Sequence, residues 1–299
     1  MTSDPIVHII VTRMGIGVRR PAFYDDHLNL ARLTIARSLS VQTSSNFIWA
    51  VAIDSRAPAG IEERIKALAP RLAIEVWRRD PFVVGLTPLN RGRIAELADG
   101  KDVILSRVDD DDLLHQDFVT RAQRDLLHSP APSALSYSRG ANFVDGEFYP
   151  DVYPWFSAGL TTRTKADLSL HAYRYAHTQM GGRVEDAGGL AWVKESSEPM
   201  WIRTWRASSD STAARGFRIT QDNAEAVDLE KFGLNLNLID ELNHVLASAP
   251  VAEDRGVRSK QAIPRMQLKI SILKQIKTAA GLGAEEADLE ALRQAMYLI

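Results

Sequence analysis

The stretch DVILSRVDDDDLLHQDF, residues 102–118, decides how the rest of the chain is read. Asp102 to Val108 opens it with a valine-, isoleucine- and leucine-rich run, the composition of a strand covered on both faces. The run stops at Asp109 to Asp112, and an apolar, helix-like segment follows at once. Adjacent carboxylates raise the cost of ionising one another, so four in a row call for positive charge nearby. One of them, Asp112 above all, suits a helix N-cap, where a carboxylate accepts an orphan N–H and favours the helix dipole. Capping needs only one acid. An EF-hand loop is excluded, because Leu114 and Thr120 stand where its glycine and glutamate would be. Two carboxylates one residue apart share a side of an extended segment, so Asp109 and Asp111 can converge on one divalent ion. Mg²⁺ or Mn²⁺ is held by such oxygens, with phosphate and water completing the shell.

The same alternation runs upstream. Ile6 to Thr12 is a β-branched run, and Leu28, Ala31, Ile35 and Leu39 recur at helical spacing. FIWAVAID, residues 47–54, reads as a second buried strand ending in Asp54, APAGIEERIKALAP as a helix stopped by Pro70, and LAIEVW, residues 72–77, as a third strand. Residues 88–99 read as helical, with Gly100 placed for a left-handed C-terminus. Alternating strands and helices imply parallel β-α-β units, whose ligands bind beyond the carboxyl ends of the strands. Asp54 and the aspartate run both sit at such ends. After about residue 130 strands dominate, with Asp145-Gly146 at a tight hairpin turn and WFSAGLTTR, residues 155–163, as another strand. Beyond residue 220 the chain turns helical again, notably over residues 264–283 and 284–299.

Composition narrows function by exclusion. The 299 residues are 45% hydrophobic and 25% charged with a formal net charge of −2, so nucleic acid is not an expected partner. The absence of cysteine excludes disulfides, thiolate metal sites and a cysteine nucleophile. No basic segment precedes a long apolar run at the N-terminus, and no stretch approaches the roughly 20 apolar residues that cross a bilayer. A cytoplasmic protein is expected.

Strand, Asp-x-Asp with a further acid, and apolar helix, in that order, resemble the metal-and-nucleotide motif of glycosyltransferases with the GT-A fold. More narrowly, SLSVQTSSNFIWAVAID, residues 38–54, followed by LSRVDDDDLLHQDFV, residues 105–119, is similar to a rhamnosyltransferase family whose members carry a helix ending near QT, a phenylalanine-to-tryptophan strand and an R-x-DDDD run. The resemblance spans roughly residues 6–210. It implies an α/β, mostly parallel sheet flanked by helices over residues 1–220, with residues 221–299 as a helical extension packed on it. It also implies a dTDP- or UDP-linked sugar donor. On that basis Thr12, Arg13 and Asp54 face the nucleoside, Asp109 and Asp110 lie near the ribose, and Asp111, with Asp109, ligates Mn²⁺ or Mg²⁺. PLNRGRIAELADG, residues 88–100, is similar to an asparagine-bearing segment of such enzymes, which makes Asn90, Arg91 and Arg93 candidates for phosphate or nucleoside contact. A solvated helix face is the other reading of those arginines. After MWIRTW, residues 200–205, the family commonly shows a histidine, and this chain has Arg206. Arginine offers only donors, so it cannot ligate a cation but can clamp a diphosphate.

Inverting glycosyl transfer also needs a base and a surface that orients the acceptor. Glu185 and Asp186, between the glycine pairs of GGRVEDAGG, are the candidate bases on a segment that reads as a closing loop, with Asp186 ahead by similarity. Trp155, Trp192, Trp201 and Trp205 suit the C–H faces of sugars, although each alone also reads as core. His177 matches a feature of the family and joins them on the acceptor side. Residues 253–277 hold seven lysines and arginines against two acids, and the helix they enter can pack on the catalytic domain or lie on an anionic membrane. The resulting reading is a metal-dependent, inverting glycosyltransferase acting on a bacterial glycan or lipid-linked glycan. Its sugar, acceptor and stereochemistry rest on the resemblance. A nucleotidyltransferase, for which TRMGIGVRR, residues 12–20, is a partial glycine-rich match, and a non-catalytic nucleotide- or glycan-binding module are the alternatives.

Overall fold

The computed structural model describes residues 6–84, 87–165, 167–205, 227–248, 265–281 and 286–298. The amino half runs β1 (Ile6–Arg13), α1 (Pro21–Leu33), α2 (Ile35–Ser40), β2 (Ile48–Asp54), α3 (Ile61–Leu68), β3 (Ile74–Arg79), α4 (Pro81–Val84), α5 (Arg91–Ala98) and β4 (Asp102–Val108). Then come β5 (Asp112–Leu114), α6 (Phe118–Leu127), β6 (Ser133–Tyr137), β7 (Arg139–Val144), β8 (Glu147–Val152), β9 (Leu160–Thr164), α7 (Met180–Asp186), β10 (Leu190–Lys194) and β11 (Trp201–Thr204). The tail adds α8 (Leu236–Ser248), α9 (Arg265–Gly281) and α10 (Glu286–Leu298).

The large sheet has the order β10-β6-β9-β4-β1-β2-β3 and the small one β5-β11-β7-β8. Within the large sheet every pairing is parallel except the two made by β9. One face buries Ile10, Trp49, Val51, Ile53 and Ile104 with residues of α1, α2, α3 and α6. The other buries Ile9, Val11, Ala50, Trp77 and Leu105 with Leu89 and α5. Burial on both faces explains why these strands read as continuous apolar runs. This is the mostly parallel, helix-flanked α/β architecture that the resemblance implies.

β1 lies between β2 and β4, so the chain reverses its progress across the sheet there and opens a crevice at the carboxyl ends of β1 and β4. Thr12 pairs with Val108, which puts Arg13 and Asp109 on its rim. The aspartates carry the chain from β4 into the small sheet, and Ser138 does the same between β6 and β7. Trp201 joins the sheets from within: it is fully buried and its indole N–H donates to the Tyr137 carbonyl at 2.9 Å. A Cβ on Gly140 would stand 2.1 Å from the indole ring, and one on Gly159 would stand 2.4 Å from the Tyr137 carbonyl oxygen.

Two expectations need correction. The helix after the aspartates does not begin at once: Asp112 opens β5, pairing with Arg203, and α6 starts at Phe118. Leu113 and Leu114 are buried in different cores, which strand alternation allows and a helical turn would not. Most of the GGRVEDAGG segment, Gly181 to Asp186, is helix α7 rather than loop, because Met180 and Val184, four residues apart, bury against the sheet. In α9, Ile272, Leu273 and Ile276 pack on Leu289 of α10 and on Phe82, the protein-packed of the two readings of that helix. The Asp145-Gly146 turn is as read, with φ of 51° and 87°. Among the described residues no helix is long and apolar enough to cross a membrane.

Candidate active site

The four aspartates divide by alternation. Asp110 and Asp112 point inward, 7% and 3% exposed, while Asp109 and Asp111 are half-buried. Asp110 Oδ2 lies 2.5 Å from His27 Nδ1, and its backbone carbonyl accepts from Thr34 Oγ1 at 2.9 Å. The Asp111 carbonyl accepts from Thr204 Oγ1 at 2.7 Å. The turn is thereby tied to α1, α2 and β11. Burial pushes the Asp112 carboxyl well above the usual range, helped by the charges of Asp111 and Asp109 and opposed by Arg203.

Asp109 and Asp111 form a half-exposed pair of hard oxygen donors on the crevice rim. The donor set fits Mg²⁺ or Mn²⁺, which take one or two protein carboxylates and complete their shell with phosphate and water. Among the described residues, three or more acids and histidines come within ligating reach of one another at His115, Asp117 and Glu198, away from this turn. Arg121 holds Asp117 at 3.2 Å and Glu198 at 2.6 Å, and Lys231 holds Glu198 at 2.5 Å, so a cation there would have to displace two others. That group fastens residues 229–232 to the body of the molecule.

Around Asp109 the crevice gathers Arg13, Arg107, Tyr173, His177 and Arg203. Burial raises the Tyr173 phenol, whose hydroxyl donates to the Val11 carbonyl at 2.6 Å, and Arg107, Asp109 and Arg13 all act on it electrostatically. Burial likewise lowers His177, with Arg107, Asp109 and Arg203 in range and Nδ1 at 2.5 Å from the Trp155 carbonyl oxygen. Tyr153 and Phe156 flank His177 with ring centroids 6.1 and 6.4 Å away. The Arg203 guanidinium lies 3.8 Å over the half-buried Trp205, whose indole donates to Asn142 Oδ1 at 2.9 Å. Sequence reading assigned no role to Arg107, Tyr173, Arg203 or His27, although the arginine of R-x-DDDD was a signal for the first.

Other predicted residues stand apart from this cluster. Thr12 and Asp54 are fully buried. Thr12 Oγ1 accepts from the Trp49 indole at 3.0 Å, and Asp54 accepts from the backbone N–H groups of Gly17 and Arg56, each at 2.8 Å. They shape the loops after β1 and β2 from beneath. Asn90 caps α5 by accepting from the Arg93 backbone at 3.3 Å, and the Arg93 side chain is held by Glu75 and Glu96 at 2.7 and 2.9 Å. Arg91 is exposed at the start of α5. Trp201 is core and cannot touch an acceptor as placed. Trp192 belongs to the edge strand β10 and packs on the main core, and Trp155 packs against Gly181. Glu185 and Asp186 are exposed at the end of α7, beside the points where β6 and β10 begin. β6 runs parallel to β4, so this is the edge of the sheet opposite the aspartates. Arg206 lies outside the described residues.

A cytidylyltransferase from Leptospira borgpetersenii serovar Hardjo-bovis superposes with a TM-score of 0.38 at 9% identity, covering 82% of this chain and 97% of that one. A galactosyltransferase in complex with donor and acceptor sugar analogues gives 0.37 at 13%, over 82% and 98%. A mannosyltransferase from Pyrobaculum calidifontis in complex with GDP-Man and Mn²⁺ gives 0.40 at 12%, over 97% and 86%. Scores of this size carry no argument about chemistry. No curated protein matches the chain. The family described as putative rhamnosyl transferase matches residues 23–218, a span that holds the aspartate turn and most of both sheets. The chain belongs to that family and is a nucleotide-sugar glycosyltransferase.

Proposed function

We propose that the protein transfers a deoxyhexose of the rhamnose class from a dTDP- or UDP-linked donor to a hydroxyl of a bacterial glycan or lipid-linked glycan, with inversion and with Mn²⁺ or Mg²⁺. The observation that carries this reading is the half-exposed pair Asp109 and Asp111 at the carboxyl end of β4, on the rim of the switch-point crevice. A divalent cation held there would neutralise the departing diphosphate. Arg13, with Asn90 and Arg91 at the start of α5, would bound the donor side. Thr12 and Asp54 would act indirectly, by fixing the loops that receive the nucleoside.

His177 is the better-placed proton acceptor than Asp186 or Glu185. Its Nδ1–H is taken by the Trp155 carbonyl, which leaves Nε2 as a lone-pair acceptor, and burial keeps the ring neutral. Trp205, fixed by Asn142 and Arg203, would offer its ring to the acceptor sugar.

Thermal unfolding with dTDP, UDP and GDP, with and without Mn²⁺, tests the reading on wild type and Asp111→Asn. A ligand at 100 times its Kd adds about 2.7 kcal/mol to the folded state. The stabilisation should need both the ion and the carboxylate. A shift of equal size without Mn²⁺ and in Asp111→Asn would remove the proposal.

A further inference from the structure

The crevice rim carries a guanidinium that has no ion pair among the described residues. Arg107 is the penultimate residue of β4 and half-buried. It pairs with Val11 of β1, which places its side chain on the face shared by Val11 and Arg13, two residues before Asp109. Its Nε is buried and has no hydrogen-bond partner among the described residues. What it does contact is an aromatic face: the guanidinium lies 4.9 Å from the Tyr173 ring centroid, and Tyr173 is itself anchored on β1 through the Val11 carbonyl.

Three buried or half-buried arginines elsewhere in the fold are instead held by carboxylates, Arg93 by Glu75 and Glu96, Arg163 by Asp102, Arg121 by Asp117 and Glu198. A buried donor left unpaired is costly and calls for an explanation. Arg107 differs in a second respect. A guanidinium laid on an aromatic ring presents its fork in one direction, which is the geometry that two phosphate oxygens match. Arg79 also has an unpartnered buried Nε, but it stands on the edge strand β3, two strands from the reversal of the sheet.

We propose that Arg107, positioned by Tyr173, grips the diphosphate of the sugar donor. The proposal rests on the nucleotide-sugar reading above. It makes Arg107 a second source of positive charge for the pyrophosphate, two residues along the chain from the first carboxylate.

Calorimetric titration in the presence of Mn²⁺ compares each nucleoside diphosphate with its nucleoside, dTDP with thymidine and UDP with uridine. Arg107→Gln should lower the ratio of diphosphate to nucleoside affinity about 10- to 100-fold, and leave nucleoside binding unchanged. Arg107→Lys, which keeps the charge and loses the fork, should lower it by a smaller factor, and it decides the matter if the glutamine variant does not fold. Arg79→Gln should leave the ratio within about twofold of wild type. A wild type that binds neither diphosphate overturns the donor reading and this inference together. A wild type that binds, with the Arg107→Gln and Arg107→Lys ratios unchanged or an equal loss in Arg79→Gln, overturns this inference alone.

Discussion

His8 is one of three fully buried imidazoles among the described residues, and its chemistry limits the pH range of the fold. It is 2% exposed on β1, with Nε2 at 2.8 Å from Ser106 Oγ, which in turn lies 2.8 Å from Thr161 Oγ1. Burial pushes it from 6.5 down to about 3. The unfolded chain takes up a proton that the folded one refuses, so stability is intact above pH 6.5 and erodes as pH falls from there toward 3. His8→Gln should flatten the dependence of unfolding free energy on pH across that window; denaturant titrations at several pH values check it, and an unaltered slope would count against the assignment. Residue identity was legible where chemistry is local. The aspartate run announced itself by charge, but its division into an inward and an outward pair depends on alternation through a turn that the sequence did not reveal. Trp201 read as a sugar platform because nothing near it in sequence mentions Gly140 and Gly159, the two positions that make room for its ring.

Elements were legible where one pattern dominated. The β-branched runs of β1, β2 and β4 could be buried strands only, whereas β5 is three residues long and was absorbed into the helix that follows. α7 was hidden by its flanking glycines, whose turn signal outweighed the spacing of Met180 and Val184. The last two helices were recognised, and their docking makes a prediction of its own. Arg19 donates to Gln294 at 2.5 Å and Arg56 lies 3.9 Å from Glu290, which joins α10 to the loops after β1 and β2. Ile276 is 5% exposed in the small core beneath. Ile276→Ala should weaken docking of the pair by about 2 kcal/mol. The readout is faster hydrogen exchange in α9 and α10 with unchanged protection in β1 and β4, and uniform protection loss would mean that the pair is not a separate unit.

For the whole molecule, the strand order was out of reach of sequence because β9 returns antiparallel between β4 and β6, and because β11 pairs with both β5 and β7, each distant along the chain. Glu198, just before β11, helps fasten this arrangement. Its carboxyl is held down to about 2 by the hydrogen bond from Lys231, with Arg121 assisting. A depressed acid stabilises the fold above its ordinary value of 4.5, and that contribution is lost as pH falls through about 2. Glu198→Gln should therefore make acid unfolding shallower between those values, as followed by circular dichroism, and an unchanged acid limb would show that the triad contributes nothing. The buried indole of Trp201 has a mechanical consequence. An aromatic plate hydrogen-bonded to one sheet and wedged against the backbone of the other acts as a dowel, so the two halves of the protein cannot shear past one another. Any closure over the crevice must then come from the segments ringing it, and the spacing of the two sheets is set when the chain folds, before any ligand arrives.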